Sequence, residues 1–211
     1  MIPKLHYLSQ ATTSAAHLEN IQKACSSGAE LVQLDLEHID GKDHLKLAQE
    51  VLKITAHFQT RLVIKTFYKI AHEVKADGIY LEQNDACPTL AREELHPWQT
   101  IGATANSLEE CKTLLTKEVD YIGLGPFKTT SETTSKALGK NGYILIAEDL
   151  NTETPLIGFG KITTEDVTDI LATGVSGIMV AKAITADFNT IKTFNELLGA
   201  SSTDEMRHTF K

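Results

Sequence analysis

Four segments echo one another along the chain, and that echo limits the fold more than any other feature. They are Gly28–Leu34, Lys75–Leu81, Glu118–Leu124 and Gly174–Val180. Each opens on a turn-type residue, continues with one apolar and one polar residue, and ends in a short apolar run. Each follows a stretch of helical periodicity, such as Ala15–Ala24 or Leu108–Leu115. Between the echoes lie further strand candidates at Leu5–Leu8, Leu62–Lys65, Thr100–Ala103 and Leu156–Phe159. Asn106-Ser107-Leu108-Glu109-Glu110 and Thr163-Thr164-Glu165-Asp166 place hydroxyls ahead of acids, as helix starts do. Strands alternating with helices at about 20 to 30 residues per unit predict a parallel sheet. About eight such units point to a single α/β domain over residues 1–198, a closed (β/α)8 barrel of the TIM type. An open doubly wound sheet is the alternative. The small, polar tail 199–211 is expected to be disordered.

Charge narrows the partners. Lys and Arg number 20 against 28 Asp and Glu, so the net charge is −8. A chain this acidic lacks the basic surface that nucleic acid requires. No apolar run approaches a membrane span. The start, Met1-Ile2-Pro3-Lys4, has no basic and apolar leader pattern. Cys25, Cys87 and Cys111 are widely spaced, with no disulfide or zinc pattern. These features read as a reduced, cytoplasmic protein, with Cys87 a structural thiol and Trp98 and Tyr121 packed in the core. His38 is the one histidine expected near the active face, as a rim residue.

On a barrel, functional residues follow the C-terminal ends of the strands. Those ends supply Gln33, Asp35 and Glu37 after the second strand, Lys65 and Thr66 after the third, and Asp85 after the fourth. Thr104 follows the fifth. The sixth runs into Gly125-Pro126-Phe127 and a hydroxyl-rich loop with Thr129, Ser131 and Lys136. Taken alone, that loop reads as a flexible polar connection. Gly160-Lys161 and Ala181-Lys182 end the seventh and eighth strands, where barrels bind phosphate. Two lysines there favour a small anion, a phosphate ester.

Across Lys4–Leu198 the chain resembles the thiamine-phosphate synthase and TenI family. The resemblance is carried by Gly28–Leu34, Ala76–Leu81, Ile101-Gly102 with Asn106–Glu110, Asp120-Tyr121-Ile122-Gly123-Leu124-Gly125-Pro126-Phe127, and Ile162-Thr163. It implies a (β/α)8 barrel and, for active members, Mg2+-dependent coupling of an aminopyrimidine diphosphate to a thiazole phosphate. Family members are often homodimers. The resemblance gives Gln33, Thr104, Thr129 and Ser131 catalytic positions; the family's lysine after the sixth strand is Glu132 here, and Lys136 is the candidate to take its role. It places phosphate at Gly125, Gly160, Lys161, Ala181 and Lys182, and a metal-type carboxylate at Asp85.

The chain departs from the family pattern where the diphosphate sits. The family's Gln-Leu-Arg-x-Lys appears here with Asp35 and Glu37 in place of Arg and Lys. Its Asn-Asp after the third strand is Lys65-Thr66. At about 5 Å and an effective dielectric of about 20, each unit pair is worth roughly 3 kcal/mol, so a diphosphate should not settle there in the usual pose. Carboxylates now face Lys65, which suggests an ion pair with Asp35 or Glu37 filling the old pocket. Three readings follow: a divergent synthase-type transferase, a non-catalytic relative that binds a phosphate ester, and a TenI-like thiazole tautomerase. For the last, Gly123-Leu124-Gly125-Pro126 offers no histidine.

Overall fold

The computed structural model describes residues 1–129 and 136–199. The expectations for Ser131 and for tail residues 200–211 lie outside the described residues. Eight strands form in chain order: β1 (Leu5–Ser9), β2 (Leu31–Leu34), β3 (Arg61–Lys65), β4 (Gly78–Leu81), β5 (Thr100–Ala105), β6 (Tyr121–Leu124), β7 (Leu156–Gly158) and β8 (Gly177–Val180). All pair in parallel with their sequence neighbours, and β1 closes on β8 with Leu5 opposite Ile178. The sheet is therefore a closed barrel and not an open doubly wound one. The crossovers carry α1 (Ser14–Ser26), α2 (His44–Phe58), α3 (Tyr68–Val74), α4 (Pro88–Glu94), α5 (Leu108–Leu115), α6 (Gly139–Leu150) and α7 (Val167–Leu171). Two more helices, α8 (Lys182–Ala186) and α9 (Thr190–Leu197), follow β8.

The fourfold echo has a conformational meaning. Its opening residues, Gly28, Lys75, Glu118 and Gly174, all have positive φ, at 93°, 57°, 54° and 90°. Each turns the chain out of a helix toward the next strand, the job of a left-handed stop. The apolar residue that follows, Ala29, Ala76, Val119 or Val175, is buried. In two of the four, the polar third residue straps the turn to the preceding strand with both backbone and side chain. Asp77 N donates to Leu62 O, and Asp77 Oδ2 accepts from Leu62 N. Asp120 does the same with Ile101.

Helix starts also follow the sequence signals. Ser107 Oγ accepts from Glu110 N while Glu110 Oε2 accepts from Asn106 N. Thr163 and Asp166 form a reciprocal capping box.

Side chains alternate across each strand, so one set fills the barrel and the other packs under the helices. The interior layer is Leu31, Val63, Tyr80, Tyr121, Ile157 and Met179. Glycines give the rings their space: a Cβ on Gly123 would lie 1.9 Å from Tyr80 Oη. Tyr121 is fully buried, but Trp98 is 56% exposed, contrary to the core expectation. It lies between α4 and β5, outside the alternating pattern. Its ring stacks on His96, which stacks in turn on His72. Among the described residues no helix is long and apolar enough to cross a membrane.

Candidate active site

At the C-terminal mouth the inward-facing residues turn from apolar to polar along β2, β3 and β4: Leu31 to Gln33 to Asp35, Val63 to Lys65, Tyr80 to Glu82. They surround a cavity of about 260 Å³. Of the residues expected from the sequence, Gln33, Lys65, Thr104, Gly160, Lys161, Ala181 and Lys182 line it together.

Lys65 is 9% exposed and is held by two carboxylates. Its Nζ lies 2.9 Å from Asp35 Oδ2 and 3.0 Å from Glu82 Oε1. The partner is thus Asp35 and not Glu37, whose side chain is exposed. Burial pulls the ammonium's pKa down, but the charges and hydrogen bonds of Asp35 and Glu82 outweigh it, and the net shift is upward. Asp35 is itself fixed: Oδ1 accepts from Glu37 N at 3.1 Å. Thr66, the next residue after Lys65, has φ of 67°, a rare conformation for a β-branched side chain.

Gln33 is fully buried. Its Nε2 lies 3.1 Å from His6 Nδ1, and His6 Nε2 lies 3.0 Å from Pro3 O. A carbonyl can only accept, so His6 carries its proton on Nε2 and its Nδ1 accepts from Gln33. Burial holds the His6 pKa down to about 4, with the Pro3 hydrogen bond opposing. Gln33 Oε1 is then left buried without a partner. Thr104 Oγ1 donates to Tyr80 Oη at 2.8 Å.

On the far side of the mouth, Gly160 and Lys161 both have positive φ, at 109° and 50°. Phe127 N donates to Phe159 O and Lys128 N to Gly160 O, which docks the loop after β6 on the loop after β7. Gly125 is packed into this contact, 2.6 Å from Phe159 O if a Cβ is added, and does not line the cavity. Thr129 and Lys136 are exposed and lie outside the lining.

Asp85 is half-buried. Its Oδ2 accepts from Glu82 N at 2.7 Å, so it caps its own turn. Among the described residues no three His, Cys, Asp or Glu side chains group to hold a metal ion. His38 is exposed, whereas His6 is bonded to Gln33 of the cavity lining. Cys87 is exposed, not structural. Its thiol pKa is lowered by the Thr89 hydroxyl, 3.6 Å away, with the Thr89 backbone adding to the effect.

Sequence reasoning passed over Glu82 and Tyr80. Tyr80 reads only as a buried strand residue, and Glu82 lies just past the strand, where the sheet register is needed to show that it turns inward.

A family model for thiamine monophosphate synthase matches residues 7–184. The chain is 34% identical to thiamine-phosphate synthase of Flavobacterium psychrophilum, over 93% of this chain and 98% of that one. It is 32% identical to the Clostridium novyi protein of the same name, over 88% and 87%. Among solved structures, thiamine phosphate pyrophosphorylase from Pyrococcus furiosus superposes with a TM-score of 0.82 at 24% identity, covering 93% of this chain and 95% of that one. A 3-hexulose-6-phosphate synthase superposes at 0.73 and 14% identity, a likeness of fold alone.

Proposed function

The chain belongs to the thiamine monophosphate synthase family, and from that premise we propose that its mouth binds a phosphorylated thiazole-type small molecule while the family's diphosphate and magnesium site is altered. The observation that carries this reading is Lys65 Nζ held 2.9 Å from Asp35 and 3.0 Å from Glu82. An ammonium locked between two carboxylates fills the side of the mouth where the resemblance places cationic side chains and a metal-binding aspartate.

The donors present there do not fit magnesium in the family's manner. Asp85 spends an oxygen on the Glu82 amide, and the other expected carboxylate position is Thr66. A diphosphate brought there would meet Asp35, Glu37 and Glu82 with one compensating cation. The opposite side suits a single phosphate: Gly160, Lys161, Ala181 and Lys182 line the cavity together, with Gln33 and Thr104 between the two sides. We read the protein as a phosphate-ester-binding relative that does not couple the two halves as the family synthases do.

The test is a coupling assay with magnesium and both substrates. Wild type is compared with a variant carrying Asp35→Arg, Glu37→Lys, Lys65→Asn and Thr66→Asp. We expect no turnover in wild type and a gain in the variant; robust wild-type turnover overturns the reading. Calorimetry with thiazole phosphate should show binding to wild type at millimolar concentration without added magnesium.

A further inference from the structure

The two sides of the mouth carry opposite charge. Lys161 and Lys182 stand at the ends of β7 and β8, while Asp35, Lys65 and Glu82 stand at the ends of β2, β3 and β4. Lys65 can neutralise one of its two carboxylates, so its side of the cavity keeps a formal charge of −1. Glu82 is the more accessible partner, with its side chain 48% exposed against 9% for Asp35.

Between the two sides sits an independent sign of a missing ligand group. The chain from Pro3 O through His6 to the Gln33 amide runs one way, and it leaves Gln33 Oε1 an acceptor with nothing to accept. Gln33 is fully buried and lines the cavity. A buried acceptor without a donor costs about 1–3 kcal/mol, and a ligand N–H placed there recovers it.

We infer that, among the phosphate monoesters its seat accepts, the cavity favours one whose other end is a protonated amine or similar cationic N–H group over one with a neutral head such as a thiazole. The phosphate lies toward Lys161 and Lys182, and the N–H head toward Gln33 Oε1 and the Glu82 carboxylate. This rests on the phosphate seat proposed above and adds the chemistry of the opposite end. A neutral head leaves Gln33 unpaired and the residual negative charge unanswered. An anionic head meets that charge directly. At about 260 Å³ the cavity is below the usual span of about 300–1,000 Å³ for drug-sized ligands, so the molecule is small.

The experiment is calorimetry on the full chain with isosteric pairs. Aminoalkyl phosphates of two to four carbons are compared with alkyl phosphates in which a methyl group replaces the ammonium. At least one amine should bind 10-fold or more tightly than its methyl counterpart. Glu82→Gln should remove most of that preference, and its circular dichroism spectrum and thermal melt should show that the variant is folded. Equal binding within every pair, or a preference untouched by Glu82→Gln, overturns the inference and leaves the phosphate seat standing. If neither series binds wild type at millimolar concentration, the phosphate seat falls, and this inference falls with it.

Discussion

Lys65 shows how one side chain can stabilise the chain and shape its chemistry together. A buried pair broken from one side leaves an uncompensated charge, which costs about 3–5 kcal/mol. Lys65→Met strands the buried Asp35 carboxylate and should destabilise the protein by that order in urea unfolding, while Asp35→Leu should cost less, because Glu82 still pairs with Lys65. The double substitution should cost clearly less than their sum. Additive losses would show that the two groups do not act as a pair.

The pair also sets a limit at high pH. The Lys65 pKa is raised above 10.5 in the folded chain, so its stabilisation is complete below that value and fades as pH climbs through the folded pKa. His6 sets a limit in acid. Its folded pKa is about 4 against 6.5 unfolded, so between those values the unfolded chain takes up a proton that the folded chain refuses. Stability should therefore fall as pH drops from 6.5 toward 4, by about 3 kcal/mol from this residue at pH 4. Histidine resonances followed by NMR should show one imidazole that stays neutral down to about pH 4. If all of them titrate near 6.5, His6 does not make this contribution.

At the scale of elements, the loops after β6 and β7 act as one unit. Gly160 has φ of 109°, and a Cβ there would lie 2.6 Å from Pro126 Cβ and 2.7 Å from Phe127 N. Gly160→Ala should cost about 1–3 kcal/mol through the backbone alone. It should also weaken alkyl phosphate binding, since both loops must shift. A thermal melt and a calorimetric titration check the two effects separately, and a variant with unchanged melting and affinity would show the contact to be slack.

Much of this level was legible beforehand. The echoed segments, the capping signals at Ser107 and Thr163, and the carboxylates facing Lys65 could all be read from residue type and spacing. Glu82 could not be picked out, because after β4 it competes with Gln83, Asn84 and Asp85, and only the sheet register shows which one turns inward. Trp98 misled because its size argued for the core, whereas its place in a connection left it stacked on histidines at the surface.

For the whole molecule, closure matters most. Because β1 joins β8, residues far apart in sequence share one ring, and the lysines of β7 and β8 come to face the acids of β2 to β4 across a small cavity. The fold followed from periodicity, since eight repeated units have few ways to bury their strands. The orphaned Gln33 carbonyl oxygen did not, because it depends on a proton position in His6 that is fixed by Pro3. The opposite end holds a larger hollow of about 460 Å³ lined by Met1, Arg61 and Asp120. Its side chains are tied to the protein itself: Arg61 donates to Met1 O, Lys4 donates to Leu198 O, and Asp120 holds Arg92 and Ile101 N.

The three thiols differ widely in reach. Cys25 and Cys111 are buried with raised pKa values, about 12 for Cys111, while Cys87 is exposed with a lowered one. A thiol-directed dye offered in equal amount to the unaltered protein will therefore attach once, at the start of α4, two residues past Asp85. Fluorescence from that single tag then tests, with no engineering of the chain, whether ligand binding is sensed on the β4 side of the barrel.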